Sequence, residues 1–597
     1  MIAIFLITIK IILISLFCGY GIGSVFLSDN LKKSGLISIS FWLGTVIIAV
    51  FGMIFSLAKI PMNQVAIPIL IICMLIWIYG LLNKKVVFYF SKETLIVGGL
   101  TLVTIIFNLY PLIKIGYPTT ISLGNLDPIS YTTVADFFKT NNVFQGNELI
   151  PFKPYLWSVG DLVHHSYRWG SPMILSFFAS ILNVRSYQVF SILITIFFGF
   201  TYPIVYLLAK TLSKSKSNWL SWTIFLTYAI NSTLLYMLYN VFFAQIIFAG
   251  IFVLLLILLV KYFTDANKNN FGFNSYDFLI GLTLSGLIVV YPEGISFVFL
   301  GWLIFALFSL FTKERFFYLV SFMKIGLIAL LINPMSVKTA IDWNLGLFLN
   351  TIKVTWIGWE KIRHALPLEI LGFYNLYYYR DLPKLLDLFF GLLIIAIWVF
   401  GFFRLKKKLL IGSHIFVFFT FFVIYRFIFP NFFTYHKAIT YSLFFYSVLF
   451  AIGLEFIFTF IKNKIIILLI VLCLTFLSFR SAWRTVSQLY YHARVVDVSL
   501  ISLEKLNENK TIDKPFYTSD VFLGEYDLWK RLWREYFLTD KDIVSLQNLT
   551  QDYVKKEEIP YVLAEKNSLS YDNKTIKYNK IIWKNEYYLL GEIKLIK

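Results

Sequence analysis

Of the 597 residues, 58% are hydrophobic and 19% aromatic, while only 14% are charged. A soluble domain is about 45–50% apolar and about 25% charged, so this composition excludes a soluble globular chain. The formal charge of +20 sits largely in short clusters at the ends of apolar runs. There it sets topology and meets anionic lipids, and it does not mark a nucleic-acid partner.

The apolar runs predict about fourteen spans of bilayer length. They lie near residues 2–27, 35–58, 65–82, 94–114, 188–208, 219–237, 239–260, 277–291, 294–312, 318–335, 385–403, 409–428, 438–461 and 465–479. Lysine and arginine clusters fall at alternate boundaries: Lys32/Lys33, Lys84/Lys85, Lys210/Lys214/Lys216, Lys261/Lys268, Lys313/Arg315, Arg404 with Lys406 to Lys408, and Lys462/Lys464. Placed in the cytoplasm, they make every span assignment consistent. The N-terminus is apolar to Phe26 with no preceding basic region, which predicts a retained first helix and not a signal peptide. Cys18, Cys73 and Cys473 all lie inside apolar runs and suggest neither disulfides nor a metal knuckle.

The expected fold is an all-α polytopic membrane protein. Residues 1–114 form N-terminal transmembrane helices, and 115–187 form a long outer loop bearing interfacial helices. Residues 188–479 form a transmembrane core with a second outer loop at 336–384. Residues 480–597 form a small α+β extracytoplasmic domain. Within the first loop, Ser171 to Leu182 is apolar but too short to span, and reads as an interfacial helix. In the C-terminal region "FYTSD" and "YVLAEK" read as strands and "GEYDLWKRLWREYFL" as an amphipathic helix.

The chemistry-bearing residues fall in the outer segments. In "LGNLDPISYTTVADFF", Asp127 before Pro128 suits a helix start, its carboxylate capping backbone N–H groups. The same carboxylate could act as a general base. Asp136, nine residues on, points to another side of that helix and is a secondary candidate. Glu293 in "YPEG" is an ionisable group between apolar runs, which makes it a candidate site residue or a solvated turn. His164 and His165 could join Asp127 or Glu293 around a divalent metal, though no HxxxH spacing is present. The "DKD" of Asp540 to Asp542 has the form of a nucleotide-sugar metal motif, but such sugars are scarce outside the membrane. The stretch Phe348 to Lys384 is basic and aromatic, as an interfacial belt or a lipid-phosphate site would be.

An early Asp127, the approach "YRWGSP" (Tyr167 to Pro172) to a short apolar helix, and a long span ending in "VYLLAKTL" (Val205 to Leu212) together resemble the GT-C superfamily. These are polytopic glycosyltransferases that take sugars from polyprenyl-phosphate carriers, including protein O-mannosyltransferases and lipid A aminoarabinose transferases. The resemblance covers mainly residues 115–212, with "YPEG" and "YHKAITY" as further support. Here the loop follows the fourth span where the family's usually follows the first, and Asp-Pro replaces the mannosyltransferases' Asp-Glu. The Trp-Trp-Asp motif of oligosaccharyltransferases is absent, so those substrate assignments do not transfer.

The resemblance implies a polyprenyl-phosphate-linked sugar donor and a cell-envelope glycan, lipid or protein acceptor, at the outer face of a bacterial plasma membrane. Such a transfer needs a base for the acceptor hydroxyl and a cation for the departing phosphate. Asp127 is the expected base, with Arg168 and then Lys437 for the phosphate. His436, beside Lys437, is a secondary candidate. The residues single out no certain cofactor, and a divalent metal is an option. The alternatives are a transporter or flippase of a lipid-linked glycan, which should place ionisable groups at the bilayer midplane, and a non-catalytic scaffold. No phosphate-binding GxxxxGK[ST] loop is present, which argues against an ATP-driven pump.

Overall fold

The computed structural model describes residues 1–597 except 90, 146–151, 156–158, 161–162, 164–167, 214–218, 266–271, 351–364, 376–382, 430, 462, 519–527, 545–560, 567–577 and 594–597. Twelve described helices are long and apolar enough to cross a membrane, and the chain is a multi-pass membrane protein. They coincide with twelve of the fourteen expected spans. The other two differ for physical reasons. Ser275–Val290 is an apolar helix of 16 residues, shorter than the roughly 20 that a bilayer usually requires. The expected span 219–237 is a broken helix, running through Trp219–Ile224 and a π turn at Phe225–Ala229, then restarting at Ser232–Tyr239.

Asn231 sits at that break and satisfies the backbone groups the break releases. Its Oδ1 accepts from Thr233 N and Leu234 N at 2.9 and 3.3 Å, and its Nδ2 donates to Thr227 O and Ile370 O, both at 2.9 Å. A break at membrane depth needs partners of this kind. Part of the loop expected at 336–384 docks there. Ser232 and Thr233 hydroxyls donate to Gly372 O and Glu369 O, and Gly372, at φ +77°, lies against Asn231 where a Cβ could not fit.

Small residues permit the closest helix pairs, as expected where lipid gives helices no hydrophobic reason to associate. Cβ atoms at Gly19 and Gly44 would run into the backbone of the facing helix at Ser40 and Ser15. Gly401 and Gly453 do the same between Lys384–Arg404 and Phe432–Phe460.

The helix ends sort into two sets. At the basic end, Lys210 pairs with Glu93, Lys406 N donates to Leu212 O at 2.9 Å, and Lys407 Nζ donates to Phe263 O at 2.7 Å. At the opposite end Leu123 N donates to Tyr239 O at 3.0 Å, and Asn344 Nδ2 donates to Pro292 O at 2.8 Å. The short helix Gly170–Leu182 lies at this second end. It is covered by protein, with Met173 to Phe178 buried against neighbouring helices.

The last membrane helix continues past the expected end at 479, to His492. Beyond it lies the expected α+β region. Strands β3 (Phe516–Thr518), β4 (Ile543–Val544), β5 (Tyr561–Glu565), β6 (Tyr578–Lys584) and β7 (Tyr588–Ile593) form a mixed sheet in the order β4-β3-β5-β7-β6. The amphipathic helix Leu528–Phe537 buries Trp529, Trp533, Tyr536 and Phe537. This unit is tied to the first loop. Strand β1 (Ile121–Ser122) pairs antiparallel with β2 (Arg494–Val495), and Ile129 and Tyr187 share the C-terminal core.

If the basic end is cytoplasmic, an impermeant thiol reagent on intact cells should label Glu508→Cys and spare Lys406→Cys, in a background lacking the three native cysteines. Both positions are exposed. The reverse pattern would invert the topology.

Candidate active site

Four of the residues expected at a site come from distant parts of the chain to the end opposite the lysine clusters. Glu293 is the hub. It lies in a 3₁₀ turn, Pro292–Gly294, between Ser275–Val290 and Ile295–Ser309, and its side chain is only 4% exposed. A carboxylate so buried must be paired. Arg168 Nε donates to Glu293 Oε1 at 2.9 Å and its Nη2 donates to the same oxygen. Lys437 Nζ donates to Oε2, which also accepts from Tyr291 OH at 2.8 Å. Tyr441 OH in turn donates to Tyr291 OH at 2.5 Å. Both cations lie over the Tyr291 ring, at 5.6 and 5.9 Å from its centroid.

Local sequence explains how each group arrives. Gly170 lets the chain after Arg168 press onto the end of Ser275–Val290, where a Cβ would meet Val289 C at 2.8 Å. Ser171 Oγ donates to Val290 O at 3.1 Å, beside the Glu293 turn. Lys437 and Tyr441 are four residues apart on the helix Phe432–Phe460, so they share one face. Asn431 starts that helix by accepting from Thr434 N at 3.0 Å.

Asp127 opens the helix Asp127–Thr140 and is half-buried within electrostatic reach of Arg168, Glu293 and Lys437. Burial pushes its carboxyl above the ordinary range, and the Arg168 charge opposes that rise. The expected cap is not made. Leu126 occupies the cap position and no side chain caps the helix. Asp127 is already the first helical residue, where its own N–H donates to Asn125 Oδ1 at 3.3 Å. Tyr131, one turn on, is buried near the same charges, and burial raises its hydroxyl pKa to about 12.

The other candidates lie elsewhere or are engaged otherwise. Asp136 holds the C-terminal domain: it accepts from Ser186 N and Oγ at 3.0 and 2.7 Å and from Tyr536 OH, with Arg185 Nε at 3.6 Å. Arg185 stacks on Tyr536, 4.4 Å from the ring centroid. His436 is buried beside Phe242, with ring centroids 5.8 Å apart. His164, His165 and the basic side chains Lys353, Lys361, Arg363 and Arg380 lie outside the described residues. In the DKD stretch, Asp540 bonds Asn507, Lys541 reaches backbone carbonyls, and Asp542 pairs with Lys153 at 3.0 Å. Among the described residues no group of three or more His, Cys, Asp or Glu could hold a metal ion.

Sequence reasoning did not single out Tyr131, Tyr291 or Tyr441. Their signal was spacing, since two stand four residues from a candidate and Tyr291 stands two before Glu293.

Glu293→Gln should destabilise the protein by about 3 kcal/mol, the low end for breaking a buried pair, because Arg168 is still 27% exposed. Tyr441→Phe should cost about 1 kcal/mol. Thermal unfolding in detergent measures both, and equal small losses would show that Glu293 does not act as the shared counter-ion.

No family model and no curated protein matches the sequence. Among solved structures, the oligosaccharyltransferase of Archaeoglobus fulgidus in the apo form aligns with TM-score 0.49 and 13% identity, over 80% of this chain and 70% of that one. The Archaeoglobus fulgidus oligosaccharyltransferase AglB, in complex with an inhibitory peptide and a dolichol-phosphate, gives 0.47 and 13% over the same shares. ArnT from Cupriavidus metallidurans, in the apo state, gives 0.46 and 11%, over 84% of this chain and 98% of that one. The chain is similar to these three structures over most of its length, at 11–13% identity.

Proposed function

We infer that this protein is a membrane glycosyltransferase, moving a sugar from a polyprenyl-phosphate carrier to a cell-envelope acceptor at the outer face of a bacterial plasma membrane. One observation carries the reading: a half-buried carboxylate, Asp127, stands near two cations held together by a buried third group, Glu293. A base and a phosphate anchor are the two parts this reaction needs.

The donor phosphate would lie on Arg168 and Lys437. Glu293 accepts from Arg168 through Nε and Nη2, and Nη1 makes no hydrogen bond to a described residue. That edge can meet a phosphate oxygen. With Glu293 ionised, the trio carries one net positive charge, which favours an incoming anion. The acceptor hydroxyl gives its proton to Asp127 as its oxygen bonds to the sugar's anomeric carbon. The bond from that carbon to the phosphate oxygen breaks, and its electron pair leaves with the phosphate, whose growing charge the two cations stabilise. Asp136, bound to Ser186, Arg185 and Tyr536, instead fixes the C-terminal domain over the loop.

Asp127→Asn should fold normally, since no cap is lost, and should lower transfer by about 10²–10⁴-fold at matched expression. In the wild type, activity should fall on acidification at a pH above the ordinary aspartate value of about 3.9, because the folded pKa is raised and the base must be ionised. The same raised pKa favours the neutral form in the folded state. Its contribution to stability is therefore full at low pH and is lost as pH rises through the folded value. Wild-type transfer by Asp127→Asn would rule out the base.

A further inference from the structure

A second site lies at the basic end, remote from Glu293. The helices Ile2–Phe26, Asp29–Leu57, Lys92–Ile115 and Ser186–Leu212 border a groove of about 450 Å³, within the range of about 300–1,000 Å³ typical of ligand pockets. Its walls are mostly apolar, and Gly98 and Gly99 widen it, since a Cβ at either would meet nothing within 4 Å. Leu95 and Leu102, 67% and 53% exposed, mark where it opens sideways towards lipid. From Lys92 to Leu102 the helix rises about 15 Å, half of the roughly 30 Å hydrocarbon thickness. The groove therefore has the depth of one leaflet.

Its mouth is positively charged. Lys32 and Lys33 form one lip. Lys32, whose side chain is 7% exposed, pairs at 3.3 Å with Asp29, its one acidic partner among the described residues. Asp29 is 81% exposed, and an ion pair with one partner so open to water is weak. Lys33 is exposed and has no acidic partner among the described residues. The acid on the opposite lip, Glu93, is already held by Lys210 and by Tyr206 OH at 2.5 Å. An apolar slot one leaflet deep, ending in two lysines, matches an acyl chain joined to an anionic headgroup. We propose that this groove binds one anionic glycerophospholipid from the leaflet at the basic end.

Native mass spectrometry of the purified full-length protein tests this, with phosphatidylglycerol and phosphatidylcholine offered at equal concentration. The wild type should retain phosphatidylglycerol about tenfold or more over phosphatidylcholine, as expected of two lysines beside an anionic headgroup. Lys32→Gln/Lys33→Gln should abolish that preference, and Gly99→Leu, which fills the groove, should lower retention of both lipids. Lys84→Gln/Lys85→Gln alters a neighbouring cluster that does not line the groove, and it should leave the preference intact. Equal retention of the two lipids by the wild type would overturn the proposal. So would an equal loss in the Lys84/Lys85 control, or tighter retention of polyprenyl phosphate lost in the same variants.

Discussion

A carboxylate buried at the end of a helix bundle cannot remain alone, and in this protein Glu293 recruits Arg168 and Lys437 across sequence separations of 125 and 144 residues. Removing a carboxylate from water is costly, and charge pairing with full hydrogen bonding offsets that cost. Glu293 obtains both, from two cations and Tyr291. The requirement fixes where three segments meet. It also decides what the cations can do, because they sit close together against their mutual repulsion. On the proposed function, a phosphate arriving there would find its charge partners already placed, which is the economy of a preorganised site.

Around this hub the irregular parts of the chain have structural work. The break at Asn231 gives the segment from Glu369 to Gly372 a place to dock. The Asp136, Arg185 and Tyr536 cluster, with the β1–β2 pairing, binds the C-terminal domain to the segment that carries Asp127. Ile129, only two residues past Asp127, belongs to the core of that domain.

Much of the membrane architecture was legible in the sequence, because bilayer length and lysine placement are one-dimensional signals. Twelve spans could be read this way. The 16-residue Ser275–Val290 reads as a span from hydropathy although it is short, and residues 219–237 do so although the helix breaks. Hydropathy does not register a backbone break whose polar groups are satisfied by a side chain such as Asn231. The β3 and β5 strands and the amphipathic helix Leu528–Phe537 were legible from local pattern alone.

The site was legible as a set of residue types and not as an arrangement. Glu293 stood out because an ionisable group between apolar runs is costly, Asp127 as a carboxylate at a helix start, and Arg168 and Lys437 as cations suited to a phosphate. Nothing in the sequence said that Glu293 would bind both cations, or that Asp136 would turn away to Tyr536. The cap expected of Asp127 failed because the helix began at that residue, a matter of one position that local preference does not resolve. Sequence alone determined a polytopic membrane chain and which of its residues were chemically unusual, since composition and spacing carry that information directly. Only the tertiary structure decided which charges meet, because pairing depends on long-range packing that places residues 168, 293 and 437 at one point.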